Sequence, residues 1–113
     1  MPTLTTTLTK QENDPWILSK DGPSNIFTYE EIQNSLKPYW EAVQALSGLV
    51  SISETTDGNV KTVVYTFDTQ DNLDAGREFI FNSALATSRK DVLATAMTRN
   101  NISPYTFTSL ISP

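Results

Sequence analysis

Residues 49–67 constrain the fold most strongly, because they have the pattern of a β-hairpin. Residues 49–53 alternate apolar and polar side chains, and residues 60–67 form a longer run of β-branched and aromatic residues. Asp57 and Gly58 lie between the two runs, and glycine accepts the positive φ that a tight turn requires. An isolated hairpin is only marginally stable, so this segment needs helices or further strands against its apolar face.

The chain contains no cysteine and no histidine, and this excludes several classes of site. Disulfides, thiolate metal sites, His-ligated haem and Ser-His-Asp or Cys-His catalysis all require one of these residues. A bound metal would need oxygen ligands alone. The densest carboxylate group is Asp68, Asp71, Asp74 and Glu78, but acids in the first turns of a helix complement its dipole. We therefore predict no metal site and no cofactor.

A net charge of −5, from 13 acidic and 8 basic residues, limits the partners that the chain can bind. It opposes generic binding to nucleic acid and to anionic membrane surfaces, both of which require clustered Lys and Arg. The apolar runs are far shorter than the ~20 residues that cross a bilayer, and the N-terminus lacks the pattern of a secretory signal. We expect no nucleic-acid or membrane partner, and a cytoplasmic location (the host-cell cytoplasm if a virus encodes the protein).

The 113 residues predict one α+β domain over residues 1–113. In residues 3–9, Leu4 and Leu8 are spaced by threonines so that they fall on the same face of an extended chain, and this predicts a strand. Residues 10–27 form a long polar connection that contains Trp16. Loops of this length are often functional, so Trp16 either anchors the loop to the core or lines a pocket or partner surface.

A single long helix is predicted to follow this connection. Thr28 and Glu31 have the spacing of a capping box, in which each side chain satisfies an orphan backbone N–H of the other. The apolar stripe keeps its phase across Pro38, which favours one kinked helix over two separate ones. Gly48 is the predicted C′ residue that ends this helix before the hairpin.

The C-terminal part predicts two helices and a last strand. The helices are expected near residues 70–85 and 88–99, with Ser88 in N-cap position, although one long bent helix fits the same pattern. Residues 102–111 read as a strand. Pro104 lacks the N–H needed in a central strand, so it confines this strand to a sheet edge or is the strand's first residue.

The resulting order, strand–helix–strand–strand–helix–strand, is that of the ferredoxin-like βαββαβ sandwich. This fold has a four-stranded antiparallel sheet with helices on one face. Alternate residues of the strand over residues 60–67 put apolar side chains on both faces of the sheet. Helices can cover one face and a second copy of the chain the other, so we expect a homodimer, with a monomer that has an open threonine-rich face as the alternative.

Residues 28–85 have a recognisable pattern with two parts. A helix ends in glycine before strand two, and a strand ends in phenylalanine before the next helix. The residues that carry it are Tyr39-Trp40, Leu46-Ser47-Gly48-Leu49-Val50-Ser51, Val64-Tyr65-Thr66-Phe67-Asp68 and Leu73. The pattern resembles the dimeric α+β barrel proteins, including the antibiotic-biosynthesis-monooxygenase-like family. The resemblance implies a homodimer that closes a shared barrel, and an apolar pocket where cofactor-free members oxidise or rearrange aromatic substrates.

No catalytic motif of that family matches, so the resemblance assigns no catalytic residue. Candidate pocket residues are chosen by type and place, with Trp40 also fitting a core position. Aromatic walls and polar contacts come from Trp16, Tyr39, Trp40, Tyr65, Arg77 and Asn82.

Two functions fit these observations. The first is a small acidic binding or assembly module without catalysis, which self-associates and meets a small apolar ligand or a protein partner. The alternative is a cofactor-free, monooxygenase-like enzyme acting on a small apolar or aromatic substrate. The enzyme requires a pocket lined by Tyr and Trp with a convergent polar group, whereas the module has a filled interior.

Overall fold

The fold is a four-stranded antiparallel sheet covered on one face by three helices. The computed structural model describes residues 1–14, 16, 29–99 and 101–113. In chain order the elements are β1 (Thr3–Thr9), α1 (Tyr29–Gln44), β2 (Leu49–Asp57), β3 (Val60–Phe67), α2 (Gln70–Asn82), α3 (Ala84–Arg99) and β4 (Thr106–Ser112). The strand order is β2-β3-β1-β4, and every neighbouring pair is antiparallel. The predicted ferredoxin-like α+β fold is confirmed.

The hairpin forms as its sequence predicts. Asp57 pairs with Val60 across the turn, and Gly58 adopts a φ of +58°. Helix α1 ends at Gln44, so the prediction that Gly48 is its C′ residue is wrong; Gly48 lies in the turn that leads into β2 and has a φ of +75°. Helix α1 continues through Pro38 as one element. Both connections therefore depend on glycine in the left-handed region, which other residues adopt only with strain.

The break between α2 and α3 lies earlier than predicted. Thr69 caps α2, since its hydroxyl accepts a hydrogen bond from the backbone N–H of Asn72 at 3.2 Å. Ser83 begins the next helix, because its hydroxyl accepts from the N–H of Ala86 at 3.1 Å. The predicted N-cap at Ser88 is wrong for this reason. A serine followed by three good helix formers was the signal for the true boundary.

The last strand is shorter at its start than predicted. Asn101 has a φ of +58°, and its N–H donates to the carbonyl of Thr98, while the N–H of Ile102 donates to the carbonyl of Met97. This is the hydrogen-bond pattern of a Schellman motif, which ends α3. Ile102 is thereby buried against the helices instead of joining the sheet, and β4 begins at Thr106.

Two apolar clusters form the core. The larger lies between sheet and helices and contains Leu4, Phe67 and Leu73, and the smaller joins Leu36 of α1 to Ala96 of α3 and Ile102. Trp40 packs against both clusters. In the larger cluster α2 lies very close to the sheet, because a Cβ atom added to Gly76 would come within 2.5 Å of the Phe67 ring. Glycine is required there for space.

Some predictions fall on other parts of the chain. The capping residue Thr28 and most of the connection over residues 10–27 lie outside the described residues. None of the helices in the described ranges has the length and apolarity needed to cross a membrane.

Candidate functional site

A cleft of about 800 Å³ lies between the sheet and the helices. Aromatic side chains from five parts of the chain line it: Trp16, Tyr39, Trp40, Tyr65, Phe81, Tyr105 and Phe107. The charged residues of the lining are Glu54, Lys61, Arg89 and Lys90. This volume is within the range of roughly 300–1,000 Å³ that is typical of small-molecule sites.

Arg89 projects from α3 into the aromatic part of the cleft. Its guanidinium carbon lies 5.1 Å from the ring centre of Tyr39 and 5.9 Å from that of Trp40. Both distances are within the range of cation–π attraction, which holds the guanidinium against the rings. Its Nε is buried, and no described residue accepts a hydrogen bond from it. A buried donor without an acceptor is costly, so an acceptor atom placed beside this Nε would be favoured.

Tyr39 and Tyr65 both line the cleft near Arg89. Burial raises the pKa of both hydroxyls above the ordinary value of 10.0, and the nearby charge of Arg89 offsets part of the rise. Each tyrosine is therefore a neutral phenol at physiological pH. A neutral phenol can donate a hydrogen bond to a ligand as well as accept one.

Trp16 closes one end of the cleft. Its indole N–H donates to the carbonyl of Gly58 at 3.3 Å, and its ring meets the edge of Tyr105 at 5.1 Å between centres. The Lys61 ammonium lies 4.8 Å from the Trp16 ring and 3.5 Å from the carboxylate of Glu54. Trp16 thus contacts the β2–β3 turn and Tyr105 and is one of the residues that line the cleft.

Four of the six predicted site residues come together in this cleft: Trp16, Tyr39, Trp40 and Tyr65. The structure places the other two on the exposed side of α2. The guanidinium of Arg77 lies over the ring of Phe81 at 5.3 Å, and the Asn82 amide donates to Glu78 at 3.1 Å. Neither contributes to the cleft lining.

Arg89 is not among the site residues predicted from the sequence. A signal for its position was present, because Ala86, Arg89, Leu93 and Ala96 recur at spacings of three and four along α3. These residues share one face of the helix, on which Ala86 and Ala96 are buried. An arginine within such a stripe is either paired in the core or directed into a cavity, and here it is directed into the cleft.

The acidic residues near α2 form no metal site. Asp68 accepts a hydrogen bond from the Asn72 amide at 2.8 Å, and Asp74 accepts one from the Gln70 amide at 3.1 Å. Across the described ranges, no three acidic side chains are grouped so that they could hold a metal ion. These carboxylates bond to their own helix and its cap.

Comparison with known proteins finds similarity in structure only. No protein-family model and no curated protein matches the sequence. The fold is similar to that of SnoaB, a cofactor-independent oxygenase from Streptomyces nogalater, at 9% identity over 99% of this chain and 90% of that chain, with a TM-score of 0.56. Candidate antibiotic biosynthesis monooxygenases from Nitrosomonas europaea and Deinococcus radiodurans match at 11% identity each. They cover 100% of this chain and 97% and 93% of theirs, with TM-scores of 0.54 and 0.52.

At these identities the comparisons establish the fold, and they confirm the resemblance to antibiotic-biosynthesis-monooxygenase-like proteins. They also correct the first functional prediction. A non-catalytic module with a filled interior is wrong, because the interior holds an aromatic cleft with a convergent arginine. The solved structures that share the fold bear the names of oxygenases and monooxygenases.

Proposed function

We propose that this protein is a cofactor-independent, monooxygenase-like enzyme that oxidises a small aromatic substrate in the cleft. The observation that carries the proposal is the cleft of about 800 Å³, in which tyrosine and tryptophan rings surround the poorly satisfied Arg89. Its fold is shared with the cofactor-independent oxygenase SnoaB, which supports the reaction class.

The residues of the cleft restrict the kind of substrate. In a cofactor-independent oxygenation the substrate itself supplies the electrons that reduce O₂. A suitable substrate has an activated methylene whose carbanion is stabilised by adjacent rings. Its methylene then becomes a carbonyl: one oxygen atom of O₂ enters the product, and the other leaves as water with the two hydrogens.

The side chains then act by holding the substrate and its charge. Trp40 and Trp16 provide flat apolar surfaces for the rings, and the neutral phenols of Tyr39 and Tyr65 can donate hydrogen bonds to a substrate oxygen. Arg89 provides fixed positive charge beside the place where negative charge forms. Such preorganised charge stabilises the substrate anion that forms when a solvent water takes the methylene proton, and so lowers the barrier to that transfer.

Oxygen uptake in the presence of anthrone, whose methylene is activated by two adjacent rings, tests the proposal. We expect uptake well above the rate in buffer, with conversion of the methylene to a carbonyl. Arg89→Gln should lower that rate by at least tenfold, and Arg77→Gln, which removes the same charge outside the cleft, should leave it unchanged. Uptake at the buffer rate with correctly folded protein would contradict the proposal.

We also propose that the protein is a homodimer, formed through the sheet face that the helices leave open. Leu110 on that face is 66% exposed, and the strand register places it in one row with Thr5 and Val64. An exposed apolar residue at an uncovered sheet favours association with a second copy. The cytoplasmic location stays a prediction.

A further inference from the structure

We infer that the cleft binds its aromatic ligand as an anion, with the anionic oxygen against Arg89. This inference rests on the proposed function of the cleft as the substrate site, and it names the chemical class of the substrate. It follows from how the charges of the lining are paired.

The lining is positive although the chain as a whole is negative. Three cationic side chains and one carboxylate line the cleft, in a chain of net charge −5. Lys61 is paired with Glu54 at 3.5 Å, and the Lys90 ammonium donates to the carbonyl of Phe81 at 2.8 Å. Lys90 keeps its charge but is exposed to solvent, which screens it. Arg89 is half-buried and has no carboxylate partner among the described residues, so the positive charge that a ligand meets inside the cleft is that of Arg89.

The surroundings of Arg89 suit an oxygen anion. Among the described residues no carboxylate forms an ion pair with it, and its buried Nε has no acceptor. The rings of Tyr39 and Trp40 lie against the guanidinium and hold it without using its N–H donors. A guanidinium fixed in this way presents a planar set of donors, which matches the geometry of a carboxylate or an aromatic oxyanion.

The neighbouring tyrosines do not compete with such a ligand. Burial raises the pKa of Tyr39 and Tyr65, so neither becomes a phenolate that could neutralise Arg89 near neutral pH. A neutral hydroxyl beside the guanidinium is a further donor to an anionic oxygen.

The cleft is long enough for more than one ring. Lys61 and Tyr65 both line it, and their positions four residues apart on β3 separate them by about 13 Å. The paired Lys61 and Trp16 lie toward one end, and Tyr65 lies toward Arg89. The ligand that fits this arrangement is a flat aromatic molecule with its charge at the Arg89 end and apolar rings along the strand.

Isothermal titration calorimetry with matched probes tests this inference. At pH 7, 2-naphthoate should bind at least tenfold more tightly than 2-naphthamide, which has the same rings and no charge. Arg89→Gln should remove this preference and Arg89→Lys should keep part of it. Arg77→Gln, with the same change in net charge on the exposed side of α2, should keep it in full.

A second probe distinguishes the source of the anion. If the substrate carries a phenolate in place of a carboxylate, 2-naphthol should bind more tightly when the pH is raised across its own ionisation, and Arg89→Gln should remove this gain. Equal binding of 2-naphthoate and 2-naphthamide, with no such gain for 2-naphthol, would overturn the inference. So would equal losses in the Arg89→Gln and Arg77→Gln variants, or no binding of any probe. If oxygen uptake persists in Arg89→Gln, the oxygenase proposal survives although the inference about an anionic ligand has failed.

Discussion

The two faces of the sheet belong to the same four strands but have different chemistry. On the face under the helices, Leu4, Tyr65 and Phe67 are buried, and Tyr65 borders the cleft. On the open face, threonine recurs at every second position of β1 (Thr3–Thr9), and exposed Leu110 lies beside it on β4. Because strand side chains alternate, one sequence can place a ligand site on one face and an association surface on the other.

This difference predicts where the chain tolerates substitution. The covered face combines densely packed residues with the cleft, so we expect the residues of this face to determine stability and ligand binding. The open face carries short β-branched side chains that favour strands but bury little apolar surface. Changes there should affect association and little else.

Adjacent residues of β3 give the largest expected contrast. Phe67 is fully buried and lies against Gly76, so Phe67→Ala should lower the free energy of unfolding by about 3–5 kcal/mol. Thr66 is next to Phe67 in sequence but lies on the open face. Thr66→Ala should change the free energy of unfolding by only about 0.5 kcal/mol. Urea denaturation of both variants measures the contrast. Similar losses in the two variants would show that the faces are not as different as described.

Alkaline pH gives a smaller effect that is specific to the covered face. The folded-state pKa of Tyr65 is raised above its ordinary value of 10.0, mainly by burial. The unfolded chain therefore releases this proton at lower pH than the folded protein does. Stability from the buried neutral phenol is complete below pH 10 and is lost as the pH rises beyond it.

Thermal denaturation as a function of pH checks this effect. The melting temperature should fall above pH 10, and the fall should be less steep in Tyr65→Phe, which keeps the ring and removes the titrating group. An identical pH dependence in this variant would contradict the burial of the Tyr65 hydroxyl.

The smallest effect on stability is expected on the open face. Leu110→Lys places a charge at a position that is 66% exposed in the single chain, so the free energy of unfolding of the monomer should change by about 0.5 kcal/mol or less, apart from the stability that dimer formation adds. The same charge should oppose packing of a second copy. Light scattering after gel filtration should show a dimer for the original chain and a monomer for this variant. A monomer in both cases would contradict the dimer proposal.

Local signals explain why the fold was predictable. The Asp57-Gly58 turn, the glycine at position 48 and the period of two in residues 3–9 each specify structure without help from distant residues. The errors occurred where local signals compete. Ser83 and Ser88 are both plausible caps, and tertiary packing of Ile102 decides where α3 gives way to the last strand.

The site was less predictable than the fold. Residue type alone suggested four aromatic residues that the cleft does bring together, but it also suggested Arg77 in place of Arg89. Both arginines are on helices and both approach aromatic rings. Only the packing of α3 against α1 and α2 shows which of them enters the cleft, and single-sequence patterns carry that information weakly.

A crystal structure of the protein soaked with 2-naphthoate tests the central claim most directly. We expect the naphthalene rings to lie between Trp40 and the β3 residues Val63 and Tyr65. The carboxylate should lie within hydrogen-bond distance of the Arg89 guanidinium. A cleft closed by its own side chains, or a carboxylate bound away from Arg89, would contradict it.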